Sequence, residues 1–102
     1  MTSCVRRHGG LIIADEVQSG LGRTGNNFWG FMEYNLIPDI VTVGKGLGNG
    51  YPLGAVICSE KISEKLGGYF STFGGNPVAC AVGQIFFSEF LRRPVFDSSF
   101  LI

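Results

Sequence analysis

Two short apolar runs, each followed by a charged residue in glycine-rich sequence, constrain this chain more than any other feature. Leu11–Ala14 leads into Asp15, and Ile40–Val43 leads through Gly44 to Lys45. Runs of this length that are rich in β-branched residues and bounded by turn residues are typical of buried strands in a parallel sheet. The pattern therefore predicts an α/β fold in which Asp15 and Lys45 lie at neighbouring strand ends.

The carboxyl ends of parallel strands form the usual ligand-binding edge of an open α/β sheet. A carboxylate and a lysine that meet there match the needs of pyridoxal 5'-phosphate, whose aldehyde forms a Schiff base with a lysine and whose ring nitrogen pairs with an acid. On spacing alone, a solvated loop lysine and an Asp15 that caps the following turn remain open alternatives. By strand alternation Glu16 points to the opposite face from Asp15, so we expect it to be a structural partner.

Three segments around this pair carry a family resemblance. They are Asp15–Gly25 (DEVQSGLGRTG), Pro38–Ala55 (PDIVTVGKGLGNGYPLGA) and Ser71–Ala81 (STFGGNPVACA). Together they resemble the class III aminotransferases, and the resemblance runs in order from about residue 4 to about residue 83. It implies part of the large, cofactor-binding domain of a pyridoxal-phosphate-dependent transferase of fold type I, with a mostly parallel sheet and helices.

The resemblance also assigns roles to individual residues. Lys45 would be the catalytic lysine that holds the cofactor and moves the substrate Cα proton, and Asp15 would pair with the pyridine nitrogen. Val17 would pack on the cofactor ring, and Gln18 would lie near the phenolic oxygen and the lysine. Thr72 would reach the cofactor phosphate of a neighbouring subunit, which implies a homodimer. A core valine, an exposed glutamine and a loop threonine remain the alternatives at these three positions.

The function that the resemblance implies is that of a transaminase. It would move an amino group from an amino acid such as alanine to a 2-oxo acid such as glyoxylate, in the mitochondrion or alternatively the cytoplasm. Reactions on ornithine, 4-aminobutyrate or a phosphorylated amine are alternatives, as is a non-catalytic truncated chain. The family's subunit is several times longer than these 102 residues, so we expect a partial domain that is inactive by itself. A truncated gene model would explain the start at Met1 and the divergence of residues 84–102 from the family pattern.

Composition narrows the range of partners. Eight basic and eight acidic side chains give a formal net charge of zero, which argues against a nucleic acid or an anionic membrane surface as partner. The apolar runs are too short to span a bilayer. The three cysteines, Cys4, Cys58 and Cys80, show neither zinc spacing nor a paired disulfide framework. We therefore expect buried, reduced thiols.

Turn and capping signals predict the remaining elements. Gly54–Cys58 is expected to form a third strand, and Ser59 to cap a short helix after it. Pro77, at a favoured first-turn position, opens a longer helix that is expected to break before Pro94. The aromatic segment Phe28–Phe31 is expected to pack at an interface or under the loop that follows Asp15–Glu16.

Overall fold

A computed structural model describes residues 2–92 of the chain. Helix α1 (Thr2–Arg7) is followed by strand β1 (Ile13–Asp15), a first 3₁₀ helix (Gly30–Tyr34) and strand β2 (Ile40–Val43). A second 3₁₀ helix (Lys45–Gly48), strand β3 (Ala55–Cys58), helix α2 (Glu60–Ser63) and helix α3 (Pro77–Arg92) then follow. The predicted break before Pro94 and residues 93–102 of the predicted divergent segment lie outside the described residues.

The three strands form one sheet in the order β1–β2–β3. β1 pairs with β2 in parallel, with Asp15 opposite Thr42, as the two apolar runs predicted. β3 pairs with β2 in the antiparallel direction, with Val43 opposite Ala55. A parallel return needs a crossover of a dozen or more residues, usually a helix, whereas residues 44–54 hold only a short 3₁₀ helix. The α/β fold is therefore confirmed, and the sheet of the described residues is mixed.

One face of the sheet carries the core. The buried apolar cluster on that face consists of Ala14, Val41, Val43 and Leu47. Partly buried side chains that pack against it are Leu21, Trp29, Phe31, Leu53 and Phe86. The opposite face is open in the described part of the chain, where Ile13 and Val56 are 61% and 58% exposed. The strands predicted to be buried thus alternate between a covered and an open face.

The aromatic segment lies under the loop that follows β1, which is one of the two positions predicted for it. Phe28 is buried and meets Trp29 and Phe90 edge to face, with ring centroids 4.7 and 5.5 Å apart. The Gly22 N–H donates to the Phe28 carbonyl at 2.9 Å. Aromatic pairs of this kind stabilise a fold by about 0.5–1.5 kcal/mol each beyond the contribution of their burial. The loop after β1 therefore packs on a well-fixed aromatic segment.

Helix α3 begins at Pro77, as predicted, and packs closely through small residues. Asn76 caps it, because the Ala79 N–H donates to Asn76 Oδ1 at 2.9 Å. Ala79 is 1% exposed, and a Cβ added at the buried Gly83 would lie 2.8 Å from Leu53 Cδ2. The lack of a side chain at Gly83 therefore lets α3 approach the loop that follows β2.

Two expectations need correction. The cysteines are free, but Cys4 and Cys80 are exposed and Cys58 is only partly covered. Cys4 is exposed because α1 buries none of its residues, and Cys80 lies on the outward side of α3. Ser59 does occupy the N-cap position of α2, yet its side chain makes no capping hydrogen bond.

Within residues 2–92, no helix has the length and apolar character needed to cross a membrane.

Candidate active site

The chain leaves β1 through a turn that Asp15 and Glu16 close from two sides. Asp15 Oδ1 accepts hydrogen bonds from the Val17 N–H at 3.2 Å and from Thr42 Oγ1 at 3.1 Å. The Gly20 N–H donates to the Glu16 carbonyl at 3.0 Å. Asp15 therefore contacts the backbone of this turn, which is the capping role left open by the sequence, and its carboxylate is also bound to β2.

The side chain of Glu16 is turned into the protein. It is 4% exposed, while Asp15 beside it is exposed. Its Oε2 accepts from Ser19 Oγ at 2.8 Å and from the Gly30 N–H at 2.9 Å. Its Oε1 accepts from the Phe31 N–H at 2.8 Å. The predicted alternation is confirmed, and Glu16 is a structural partner within the site.

Lys45 follows β2 after one glycine and begins the second 3₁₀ helix. Its φ is 40°, in the left-handed region, which costs a non-glycine residue roughly 1–2 kcal/mol. Strain of this kind concentrates at functional sites. The Val17 Cγ1 atom would lie 3.4 Å from a Cβ added at Gly44, so the turn after β1 packs against the loop that carries Lys45.

A cavity of about 610 Å³ lies beside these two loops and is closed on another side by α3. Val17, Gln18 and Lys45 all line it, together with Arg23 and, from α3, Phe86. Among the described lining residues none is acidic, so Arg23 and Lys45 give the cavity a positive charge. Its volume falls within the range of small-molecule sites, about 300–1,000 Å³.

The other two predicted site residues lie outside the lining of this cavity. Asp15 is connected to it through its hydrogen bond to the N–H of the lining residue Val17, and its side chain stands on the open face of the sheet with Ile13. Thr72 is exposed in the loop before α3, where Ser71 Oγ accepts from the Gly74 N–H at 3.0 Å. The structure thus brings three of the five predicted residues to one cavity, whereas Asp15 and Thr72 lie outside its lining. Thr72's role toward a neighbouring subunit stays a prediction.

Comparison with known proteins identifies the family. The family model described as Aminotransferase class-III matches residues 1–99. The chain belongs to the class III aminotransferases. This match covers the turn after β1, the Lys45 loop and the loop before α3, which are the three segments that carried the resemblance.

Relatives of this class III chain are much longer than it is. It is 55% identical over 83 residues to alanine–glyoxylate aminotransferase 2, mitochondrial, of Homo sapiens, a match that covers 78% of this chain and 16% of that protein. It is 58% identical over 81 residues to alanine–glyoxylate aminotransferase 2 homolog 2, mitochondrial, of Arabidopsis thaliana, covering 78% and 17%. The chain therefore spans about one sixth of the length of these curated relatives.

A solved structure is also similar to this chain. A phospholyase from Arthrobacter in complex with phosphoethanolamine matches with a TM-score of 0.79 and 44% sequence identity. The match covers 88% of this chain and 22% of that one. The described architecture therefore corresponds to about one fifth of that longer chain.

Proposed function

We propose that residues 1–102 form part of the cofactor-binding large domain of a pyridoxal-phosphate-dependent transaminase. The observation that carries the proposal is the meeting of Val17, Gln18 and Lys45 around one cavity, beyond the ends of two parallel strands. Membership of the class III aminotransferases supports it, because this family uses pyridoxal 5'-phosphate.

The residues present fit this cofactor. Lys45 offers the primary amine that binds its aldehyde, and the same amine can then move a proton at the substrate Cα. Val17 offers an apolar surface for the ring, and Gln18 a neutral amide that can donate to the phenolic oxygen. Asp15, which the Val17 N–H connects to the cavity, would supply the carboxylate that keeps the pyridine nitrogen protonated. When bound, the cofactor supplies the electron sink for the charge left at Cα.

For the substrates we propose an amino acid such as alanine as donor and a 2-oxo acid such as glyoxylate as acceptor. The relatives named for alanine and glyoxylate support this choice at 55% and 58% identity. Both substrates carry a carboxylate, and a guanidinium such as that of Arg23 binds carboxylates in a two-pronged geometry. The positive charge of the cavity suits such substrates.

A second candidate is a lyase that acts on a phosphorylated amine. The observation that favours it is the 44% identity with the phospholyase whose structure contains phosphoethanolamine. Arg23 and Lys45 would suit a substrate phosphate as well as a carboxylate. Class III activities on ornithine or 4-aminobutyrate, and a non-catalytic chain, remain further alternatives that the experiment below separates.

We also propose a homodimer in which Thr72 of each subunit reaches the cofactor phosphate held by its neighbour. Its exposed position in the loop before α3 supports this arrangement, because no other part of the described chain covers it. The relatives' names support a mitochondrial location for the protein.

The proposed function is tested with a chimeric protein, whose cofactor absorbance and transaminase activity are measured. The aligned stretch of 83 residues in human alanine–glyoxylate aminotransferase 2 is replaced by that of this chain, so that the relative supplies the remainder of the enzyme. We expect the chimera to show the absorbance of a lysine-bound cofactor and to transaminate alanine with glyoxylate. Lys45→Ala should remove both signals, whereas Lys61→Ala, at an exposed lysine of α2, should leave both in place.

The same chimera separates the candidate functions. Ornithine, 4-aminobutyrate and phosphoethanolamine are assayed beside alanine, and release of inorganic phosphate from phosphoethanolamine would favour the lyase. A chimera that folds but neither binds the cofactor nor reacts would favour the non-catalytic alternative. Retention of colour and activity by Lys45→Ala would contradict the role given to Lys45.

A further inference from the structure

We infer that Glu16 is the positioning residue of this site: it fixes where Val17 and Gln18 stand relative to Lys45. This inference rests on the proposed function, because it concerns how the chain presents those two residues to the cofactor. Glu16 itself lines none of the cavity described above, so it would act through the turn and not by contact with the cofactor.

The first observation is that Glu16 holds the turn of residues 17–20 at its far end. Its carbonyl oxygen accepts from the Gly20 N–H at 3.0 Å, and its Oε2 accepts from Ser19 Oγ at 2.8 Å. Val17 and Gln18, the two residues enclosed between these contacts, both line the cavity. Loss of the carboxylate would remove the bond to Ser19 and leave the backbone bond to Gly20 in place, so the turn would lose its side-chain anchor while the cavity-lining residues themselves stay unchanged.

The second observation is what the carboxylate ties this turn to. It accepts from the N–H groups of Gly30 and Phe31, which begin the first 3₁₀ helix. That segment is itself well fixed, because Phe28 is buried and Trp29 and Phe31 pack against the core cluster. Glu16 thus connects a turn that carries site residues to a segment held by aromatic packing.

Close packing leaves this connection little room to rearrange. A Cβ added at Gly30 would lie 2.9 Å from Ser19 Cβ, and one added at Gly20 would lie 3.1 Å from Trp29 Cε3. The turn and the aromatic segment therefore touch directly around the carboxylate. The contacts of the Glu16 carboxylate are also directional. In the described residues it accepts hydrogen bonds from three donors, and neither of the two ion pairs found there involves it. Directional bonds set an orientation more sharply than a point-charge contact does.

The consequence for the chemistry concerns the amide of Gln18. If that amide donates to the phenolic oxygen of the cofactor, its placement changes how readily the lysine-bound cofactor takes up a proton. A turn released from the aromatic segment would misplace the amide. Displacements of about 1 Å in a site cost on the order of 100-fold in rate. If Glu16 positions the turn, variants that release the turn should change the cofactor's spectrum and lower kcat, with KM little affected.

Three variants test this, in the full chain and in the chimera described above. Glu16→Gln keeps the size of the side chain but turns an amide toward at least one of the three donors. Ser19→Ala removes only the bond to the turn and leaves the bonds to Gly30 and Phe31 in place. Glu33→Gln is the matched control. Glu33 lies in the first 3₁₀ helix, to which Gly30 and Phe31 also belong, and its side chain is exposed.

Two measurements are made on each variant. The first is hydrogen exchange of the amides of residues 17–20 without cofactor, which we expect to be faster in Glu16→Gln and Ser19→Ala and unchanged in Glu33→Gln. The second, in the chimera with pyridoxal 5'-phosphate, is the pH midpoint of the cofactor's absorbance change together with kcat and KM. We expect the midpoint to shift and kcat to fall about 10- to 100-fold in both variants.

The outcomes separate this inference from the proposed function. Normal exchange in residues 17–20 together with a normal pH midpoint and kcat in Ser19→Ala would overturn the inference, even if both variants melt at lower temperature. If Glu16→Gln does not fold, Ser19→Ala alone decides. If the unmodified chimera binds no cofactor, the proposed function fails, and exchange of the turn amides still decides whether Glu16 holds the turn.

Discussion

Thr42 Oγ1 donates a hydrogen bond to Asp15 Oδ1 at 3.1 Å, across the parallel pair β1–β2. The two residues are register partners, so their side chains stand on the same face of the sheet. The carboxylate of Asp15 is thus fixed by the strand whose end leads to Lys45. This hydroxyl has no counterpart among the site residues predicted from the sequence.

Thr42→Val removes that hydrogen bond while it keeps the shape and β-branching of the side chain. In the chimera we expect kcat to fall about 3- to 10-fold, because a lost hydrogen bond to a charged group has about that effect when it is partly exposed to water. The melting temperature should change little. Thr24→Val, at an exposed loop threonine, is the control. An unchanged kcat would show that Asp15 is held well enough by the Val17 N–H alone.

Lys45→Gly should leave a more stable protein than Lys45→Ala, since only glycine adopts a φ of 40° without steric cost. The expected difference in the free energy of unfolding is about 0.5–1 kcal/mol, measured by urea titration of the chimera. Both variants should lose the lysine-bound cofactor. The pair Lys61→Gly and Lys61→Ala, inside α2, should show the opposite order, because glycine is the poorer helix former. The same order at both lysines would argue against strain at Lys45.

Gly20→Ala should destabilise the protein by about 1–3 kcal/mol, because overpacking of a close contact forces the backbone to shift. A Cβ at Gly20 would lie 2.8 Å from the Glu16 carbonyl oxygen, which is a backbone atom and cannot rotate away. Gly68→Ala is the control, since nothing lies within 4 Å of a Cβ added there. Thermal melts of the two chimera variants are compared. Equal melting temperatures would mean that the turn accepts a side chain.

The 102-residue chain by itself should show no transaminase activity. It spans about one sixth of the length of its curated relatives, and Thr72 is expected to serve a neighbouring subunit's cofactor. The open apolar face around Ile13 and Val56 also favours aggregation of the isolated chain. The purified chain is dialysed with pyridoxal 5'-phosphate and assayed with alanine and glyoxylate. Stoichiometric retention of the cofactor, with turnover above that of free cofactor, would contradict this expectation.

The sequence predicted those features that depend on local patterns. β1 and β2 follow from their apolar runs, the start of α3 follows from Pro77, and the inward turn of Glu16 follows from strand alternation. Each of these requires only the residues of one segment and the period of its structure. The parallel pairing was predictable because both runs are short, continuous and rich in β-branched residues, which is typical of strands in a parallel sheet.

Other features depend on distant contacts and were not predictable. The antiparallel direction of β3 depends on the absence of a crossover helix in residues 44–54, which is a weak signal in glycine-rich sequence. The exposure of Cys4 and Cys80 depends on what packs against their helices. The left-handed conformation of Lys45 is set by the loop as a whole, because glycines on both sides would take that conformation more readily.

The mixed sheet has a consequence for the order in which the chain folds. The antiparallel pair β2–β3 closes over residues 44–54, whereas the parallel pair β1–β2 must close over residues 16–39. The entropy lost on closing a loop grows with its length, so the pair with the shorter connection is expected to form first. That connection is the loop that carries Lys45. The lysine would then be in place before the strand bearing Asp15 docks beside it, and the final docking event would be the one that brings the acid and the amine together.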